Sequence, residues 1–187
     1  PATLGLLGGM SAHGVQFAET YTGFKWIGHT ALSHPELRMV FGYEQALGYL
    51  VGDRPLDKDG ITAALAMAEV AAAAKAAGES LQGRLDRLAA EFGRHLPAER
   101  SLKMPPAEGS AAVQKLRAEP PSRLGDRDVT AVQWFDEAGL LRLQLGDSVR
   151  VQVRPSGTEP KAKLYGEGID VDSNPYLEAL TGLIESR

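Results

Sequence analysis

The 187-residue sequence has no cysteine, which excludes disulfide bonds, thiol catalysis and metal sites built from cysteine ligands. It also lacks an apolar run long enough to span a bilayer, and its first residues do not have the pattern of a signal peptide. These absences favour a cytoplasmic protein without a membrane partner. An initiator methionine is missing as well, since the chain starts at Pro1, and we therefore expect a truncated piece of a longer protein.

The sequence also has no excess of positively charged residues. The net charge is −4 and the isoelectric point is about 5.6, so we expect no basic face and no nucleic-acid partner. The histidines are not at metal-ligand spacing, and we predict no metal site from them: His13, His29, His34 and His95. With 43% hydrophobic and 24% charged residues, the composition is that of an ordinary globular protein.

The first part of the chain alternates between strand and helix patterns. Short strands are predicted at residues 15–20 and 37–43, and the apolar segment 24–27, which follows Gly23, is left unassigned. A helix is expected from about Asp59, because apolar residues recur there at helical spacing and alanine has a high helix propensity. Ser80 can cap a second helix. We therefore assign residues 1–97 to an incomplete α/β domain with a mixed sheet.

The second part of the chain follows a stretch interrupted by prolines, residues 97–106, where we place the domain boundary. Strands are predicted in four places: residues 129–135, 140–145, 149–153 and 161–167. Helices are predicted at residues 110–118 and 175–184. Several antiparallel strands with two helices indicate a small α+β domain over residues 98–187.

The most informative motif is R-P-S-G-T-E-P-K, residues 154–161, which follows a predicted strand. Gly157 can adopt backbone angles that let neighbouring N–H groups converge on one point. Arg154 adds a planar set of donors, and Ser156 and Thr158 add hydroxyl donors, so the turn suits a dianionic phosphate. On the residues alone, a tight β-turn with a solvated arginine is slightly favoured, because small polar turns are common.

Two further side chains are placed like ligand-binding groups. Glu44 lies near glycines at the end of a predicted strand, where its carboxylate can accept hydrogen bonds from two sugar hydroxyls or can be a solvated loop acid. Lys25 follows Gly23 and lies between two aromatic residues. Its ammonium can stabilise developing negative charge, or it can extend into solvent as surface lysines commonly do.

The aspartates before Gly60 raise the question of a calcium site. An EF-hand loop with Gly60 at its sixth position would need ligands at Pro55 and Ala66, and neither residue supplies one. We therefore reject calcium. A capped helix start explains these aspartates.

Four segments occur in the order found in the C-terminal half of the α-D-phosphohexomutase superfamily, and each resembles a segment of that family. They are T-G-F-K, Y-E-Q-A-L-G-Y, D-K-D-G and R-P-S-G-T-E-P-K. The form of the second segment is closest to the phosphoglucomutase-2/phosphopentomutase-like branch and to actinobacterial phosphomannomutases. The resemblance implies a partial third domain over residues 1–97, of α/β class, and the fourth, TBP-like α+β domain over residues 98–187.

The resemblance also implies a role for each motif. Arg154, Ser156, Gly157 and Thr158 would bind the phosphate that is not transferred, and Glu44 would bind the sugar hydroxyls. Lys25 would lie near the transferring phosphoryl group, and D-K-D-G would be mainly structural, with Lys58 a candidate for the cleft. Ala46 stands where other branches have serine, which removes a hydroxyl contact that bears on epimer specificity.

Two of the family's motifs, the phosphoserine loop and the magnesium loop, do not occur in this sequence. Both belong to the first two domains of the family. The resemblance therefore implies part of a phosphosugar mutase that moves a phosphoryl group between C1 and C6, or C1 and C5, through a phosphoserine and a bisphosphorylated sugar. It implies Mg²⁺ and a sugar 1,6-bisphosphate activator in the full enzyme.

The partners implied by the resemblance are a phosphosugar and the N-terminal domains of the same enzyme, and we expect this chain alone to be inactive. A stand-alone phosphosugar-binding module is the alternative. A purely structural domain with an incidental turn is a third interpretation.

Overall fold

The computed structural model describes residues 14–21, 23–44, 47–53, 55–156 and 159–186. The chain divides into two compact units, Pro1–Phe92 and Gly93–Arg187. We had placed the boundary after residue 97, but that position lies inside a strand of the second unit, His95–Lys103. Pro97 is accommodated there because the strand is at the edge of its sheet, where a missing N–H costs no ladder hydrogen bond.

The first unit contains a helix, a β-hairpin and two further helices. In chain order these are α1 (Phe24–Ser33), β1 (Phe41–Glu44), β2 (Gly48–Val51), α2 (Gly60–Ala76) and α3 (Leu81–Phe92). The two strands are antiparallel, with Gly42 opposite Leu50 and Glu44 opposite Gly48. This register brings the last residue of β1 next to the first residue of β2.

Two strand predictions in the first unit need correction. Residues 15–20 have no regular secondary structure and pair with no strand in the described part of the chain. Residues 24–27, which the sequence left unassigned, form the first turn of α1, whose buried residues Phe24 and Gly28 are one helical turn apart. The strand expected at 37–43 is shorter and shifted, Phe41–Glu44.

The two predicted helices of the first unit are confirmed. The Asp59 side chain accepts a hydrogen bond from the backbone N–H of Ile61 at 2.9 Å and so caps α2. Gly78, with φ of 69°, ends the helix in the left-handed region that glycine adopts most readily. The Ser80 hydroxyl accepts from the N–H of Gly83 at 3.0 Å at the start of α3.

The second unit is a five-stranded antiparallel sheet with two helices. Its elements are β3 (His95–Lys103), α4 (Pro106–Ala118), β4 (Arg123–Leu124), β5 (Arg127–Asp128), β6 (Ala131–Phe135), β7 (Leu140–Leu145), β8 (Val149–Pro155), β9 (Lys161–Ile169) and α5 (Asn174–Glu185). The strand order is β3–β9–β8–β7–β6, and β4 and β5 form a separate short ladder. The sequence did not predict β3, β4 and β5. A 3₁₀ turn, Asp136–Ala138, connects β6 to β7 as a hairpin.

One face of this sheet forms the core of the second unit. Alternate residues of the central strands, including Leu143, Val151 and Leu164, are buried together with Val113 of α4 and Leu177 of α5. The intervening residues of the same strands are polar, so the opposite face of the sheet carries charged side chains.

Among the described residues, no single helix is long and apolar enough to cross a membrane. Taken as a pair, α2 and α3 have the required length and composition, but the two helices are bent by 88° relative to each other.

Candidate functional site

The predicted phosphate loop connects the end of β8 to the start of β9. The backbone N–H of Ser156 donates to the carbonyl of Lys161 at 2.8 Å, which closes the turn. The Ser156 hydroxyl oxygen accepts from the N–H of Glu159 at 3.3 Å, so its own hydrogen can still be donated to a ligand. Gly157 and Thr158, the other two predicted phosphate ligands, lie outside the described residues.

Arg154 is the residue of this site whose surroundings are most informative. Its Nε atom is buried and has no hydrogen-bond partner among the residues that the structure describes. A buried donor without a partner costs about 1–3 kcal/mol, so such atoms are rare outside ligand sites and strained regions. Arg154 thus retains a donor for which an anion is a suitable partner.

Positive charge is concentrated beside Arg154. Lys163 of β9 lies directly opposite it across the strand pair, an arrangement that is unfavourable for two like charges without an anion. The Lys163 ammonium lies 4.0 Å from a carboxylate oxygen of Glu99, which is a long distance for an ion pair. The sequence motifs assigned no role to Lys163. The hairpin formed by β8 and β9 could have indicated its position, since residues equally far from a turn face each other.

The other lysine of the loop already has an anionic partner. The Lys161 ammonium lies 2.8 Å from a carboxylate oxygen of Glu159. The hydrogen bond from Lys161 lowers the pKa of Glu159, and the charge of the same lysine lowers it further. Glu159 is therefore ionised at neutral pH and offsets the charge of Lys161 and part of the charge of Lys163, which also lowers the pKa of Glu159.

Glu44, the predicted sugar ligand, ends β1 and is held by a lysine. Its Oε1 atom forms an ion pair with the ammonium of Lys58, and its side chain is 13% exposed. The Lys58 ammonium also lies 5.7 Å from the centre of the Phe24 ring, within the range of a cation–π interaction. The structure thus joins Glu44 to the D-K-D-G segment, a link that the sequence order does not reveal.

Lys25 lies in the first turn of α1 and is exposed, with its ammonium 5.3 Å from the centre of the Trp26 ring. The first turn of this helix contains no acidic residue. A lysine at the N-terminus of a helix interacts unfavourably with the helix dipole. The lysine and the N–H groups of the first helical turn together provide positive charge that favours a bound anion. Lys25 also lines an open groove of about 320 Å³ with His29, Leu56 and Asp57.

The predicted site residues are divided between the two units of the chain. Glu44, Lys58, Phe24 and Lys25 belong to the first unit, and the Arg154 loop belongs to the second. In the described parts of the chain, no group of three or more acidic or histidine side chains is arranged to hold a metal ion.

Comparison with known families gives two matches that cover most of the chain. Residues 1–92 match the family described as phosphoglucomutase/phosphomannomutase, alpha/beta/alpha domain III. Residues 101–175 match the family described as phosphoglucomutase/phosphomannomutase, C-terminal domain. The predicted resemblance to the C-terminal half of this superfamily, and the predicted fold classes of the two parts, are confirmed.

Individual relatives agree with these matches. The chain is 35% identical to a probable phosphomannomutase of Haemophilus influenzae, over 80% of this chain and 31% of that protein. It is 30% identical to a phosphoglucomutase of Staphylococcus epidermidis, over 82% of this chain and 32% of that protein. In fold it is similar to the open form of parafusin from Paramecium, with a TM-score of 0.65 and 18% identity over 95% of this chain and 34% of that one. The chain thus spans about a third of the length of these proteins.

Proposed function

Because the chain belongs to the phosphoglucomutase/phosphomannomutase family, we propose that it is the C-terminal part of a phosphosugar mutase. The enzyme moves a phosphoryl group between C1 and C6, or C1 and C5, of a sugar. A phosphoserine outside this chain phosphorylates the free hydroxyl, the bisphosphorylated sugar reorients, and its other phosphate returns to the serine. Such reactions depend on positioning and electrostatic stabilisation, which are the contributions that this chain's residues can make.

The buried Nε of Arg154, without a partner among the described residues, is the observation that carries this proposal. A guanidinium in this position binds a phosphate dianion through charge-assisted hydrogen bonds. Lys163 opposite it and the hydroxyl of Ser156 supply further donors, and Gly157 and Thr158 complete the loop as further ligands. Together they bind the phosphate that is not being transferred.

The first unit contributes recognition of the sugar and charge near the reaction. Glu44 accepts hydrogen bonds from sugar hydroxyls through a carboxylate whose orientation Lys58 maintains. Lys25 stabilises the negative charge that develops on the transferring phosphoryl group, helped by the dipole of α1. Glucose, mannose and pentose phosphates differ in the hydroxyls that reach Glu44, so this carboxylate bears on which of them is preferred.

Two components of the reaction lie outside this chain. Mg²⁺ would supply electrostatic stabilisation of the phosphoryl group, and its ligands and the transferring serine belong to the N-terminal domains of the same cytoplasmic enzyme. A sugar 1,6-bisphosphate acts as activator, because it is the species that phosphorylates an enzyme whose serine is free.

An assay with the purified chain, free of host mutases, tests this proposal. We expect the chain to bind glucose 6-phosphate more tightly than glucose in a calorimetric titration. We also expect it to convert no glucose 1-phosphate to glucose 6-phosphate in a coupled dehydrogenase assay. Mutase turnover by the chain alone would contradict our placing of the transferring serine, and equal affinity for glucose and its phosphate would contradict the role of the Arg154 loop.

A further inference from the structure

Gly48 lies at the point where three side chains of the first unit meet. A methyl group added to it would lie 2.9 Å from Cε of Lys58, 3.0 Å from Cγ of Glu44 and 3.0 Å from Cδ2 of Phe24. A Cβ atom essentially never approaches another heavy atom more closely than 3.0 Å. The hydrogen that glycine carries in place of a side chain is therefore what leaves room for all three neighbours.

Space, and not backbone conformation, is the reason for glycine at this position. Gly48 is the first residue of β2 and pairs in regular register with Glu44. It is not among the glycines with positive φ, so its backbone conformation is open to other residues.

The three neighbours differ in how easily they can move away. The Phe24 side chain is packed in the interior, since the residue is only 7% exposed, and that of Glu44 is mostly buried. The Lys58 side chain is 48% exposed and flexible, and its contact with Gly48 is made near its end. A side chain at position 48 would therefore displace Lys58 first, while the hairpin stays intact.

We propose that Gly48 is a positioning residue for sugar recognition, which acts by letting the Lys58 ammonium reach the Glu44 carboxylate. This inference rests on the proposed role of Glu44. Lys58 engages Oε1 and so fixes the plane of the carboxylate, and Oε2 is then presented to a sugar hydroxyl without a further loss of side-chain freedom on binding. Displacing the lysine leaves the carboxylate in place but free to rotate.

The test compares Gly48→Ala with Gly60→Ala, the same substitution at a position of this unit where an added methyl group meets nothing within 4 Å. The first readout is the NMR shift of the Lys58 Hε protons, which we expect to lie upfield in the wild-type chain, because the Lys58 ammonium lies over the Phe24 ring, 5.7 Å from its centre. The second is the affinity for glucose 6-phosphate divided by that for inorganic phosphate, which isolates the contribution of the sugar.

We expect Gly48→Ala to remove the ring-current shift and to lower the affinity ratio by up to about tenfold, because the Glu44 side chain must then be ordered when the sugar binds. Gly60→Ala should leave both unchanged. Lys58→Met should lower the ratio by the same factor, and the double variant Gly48→Ala with Lys58→Met should lower it no further, because both substitutions remove one interaction.

The outcomes separate this inference from the function on which it rests. A wild-type ratio of one would overturn the role of Glu44 and the inference with it. A wild-type ratio above one that Gly48→Ala leaves unchanged, although the ring-current shift is lost, would overturn the inference alone. Additive effects in the double variant would also overturn it, since Gly48 would then act independently of Lys58.

Discussion

At the residue scale, two arginines on the same face of one strand have different surroundings. Arg150 is 5% exposed, and its Nε and Nη2 atoms donate to Oε2 of Glu167 at 3.0 and 2.9 Å. His95 approaches the other oxygen of this carboxylate, with Nδ1 at 3.2 Å from Oε1. Arg154, four residues further along, has a buried Nε that no described residue engages. The first arginine is structural, and the second is the one suited to a ligand.

The buried pair gives a prediction for stability. Glu167→Gln removes the charge that compensates the Arg150 guanidinium, and breaking a buried ion pair from one side costs about 3–5 kcal/mol. We expect the free energy of unfolding, measured with urea, to fall by about that amount.

A matched control lies in the same unit. Glu178 pairs with Arg100 at 2.9 Å, but its side chain is 70% exposed. Glu178→Gln should change the free energy of unfolding by less than about 1 kcal/mol, because exposed pairs contribute little. Equal effects of the two substitutions would show that burial does not set the strength of the Arg150–Glu167 pair.

Sequence reasoning selected the candidate site residues by motif but could not supply their partners. The pairing of Glu44 with Lys58 depends on the turn between β2 and α2 folding back on the hairpin, and no spacing rule predicts that contact. The position of Lys163 opposite Arg154 could have been predicted, because it follows from the register of β8 and β9. The Nε of Arg154 is buried and has no partner among the described residues, and a sequence does not report burial.

At the element scale, the start of α2 has a pH-sensitive cap. The hydrogen bond from the Thr62 side chain and the one from the N–H of Ile61 lower the pKa of Asp59. A lowered pKa in the folded state means that Asp59 stabilises the fold above its ordinary pKa. This contribution is lost as the pH falls through the lowered value, that is, below about pH 4.

Asp59→Asn tests this because asparagine also caps helices but does not titrate. At pH 7 the wild-type chain should be the more stable of the two, since the carboxylate also interacts favourably with the helix dipole. At pH 3 the difference in unfolding midpoint, followed by circular dichroism, should shrink towards zero. A difference that stays the same at both pH values would show that the ionised carboxylate contributes nothing to the cap.

The elements that sequence reasoning predicted well are those with long, consistent signals. The two predicted helices of the first unit, α2 and α3, have side-chain caps, and β7, β8 and β9 have clear alternation. Residues 24–27 could not be assigned from the sequence because four residues are too few to distinguish a period of two from one of 3.6. β3 was missed because Pro97 suggested a loop, although an edge strand tolerates it.

At the scale of the whole molecule, the two units differ in how much apolar surface they bury. The fully buried apolar residues described in the first unit are Phe24, Leu50 and Ala74, whereas those of the second unit form one continuous cluster. The helices of the first unit leave apolar side chains in solvent, including Ile61 at 83% and Leu85 at 59% exposed.

Native-state hydrogen exchange should reflect this difference. We expect the amides of β7, β8 and β9 to exchange most slowly, near the rate set by global unfolding, because they surround the main core. The amides of α2 and α3 should exchange much faster, through opening of the first unit alone. Equal protection in both units would show that the chain unfolds as a single cooperative body.

The central claim is that the Arg154 loop binds the phosphate of a phosphosugar, and a titration of three chains tests it most directly. The dissociation constant of glucose 6-phosphate is measured for the wild type, for Arg154→Ala and for Arg123→Ala, which removes an exposed arginine of the same unit. We predict that Arg154→Ala weakens binding by about tenfold to a hundredfold, the effect of losing a charge-assisted hydrogen bond, and that Arg123→Ala leaves it unchanged. An Arg154→Ala chain that binds glucose 6-phosphate as tightly as the wild type would contradict the account.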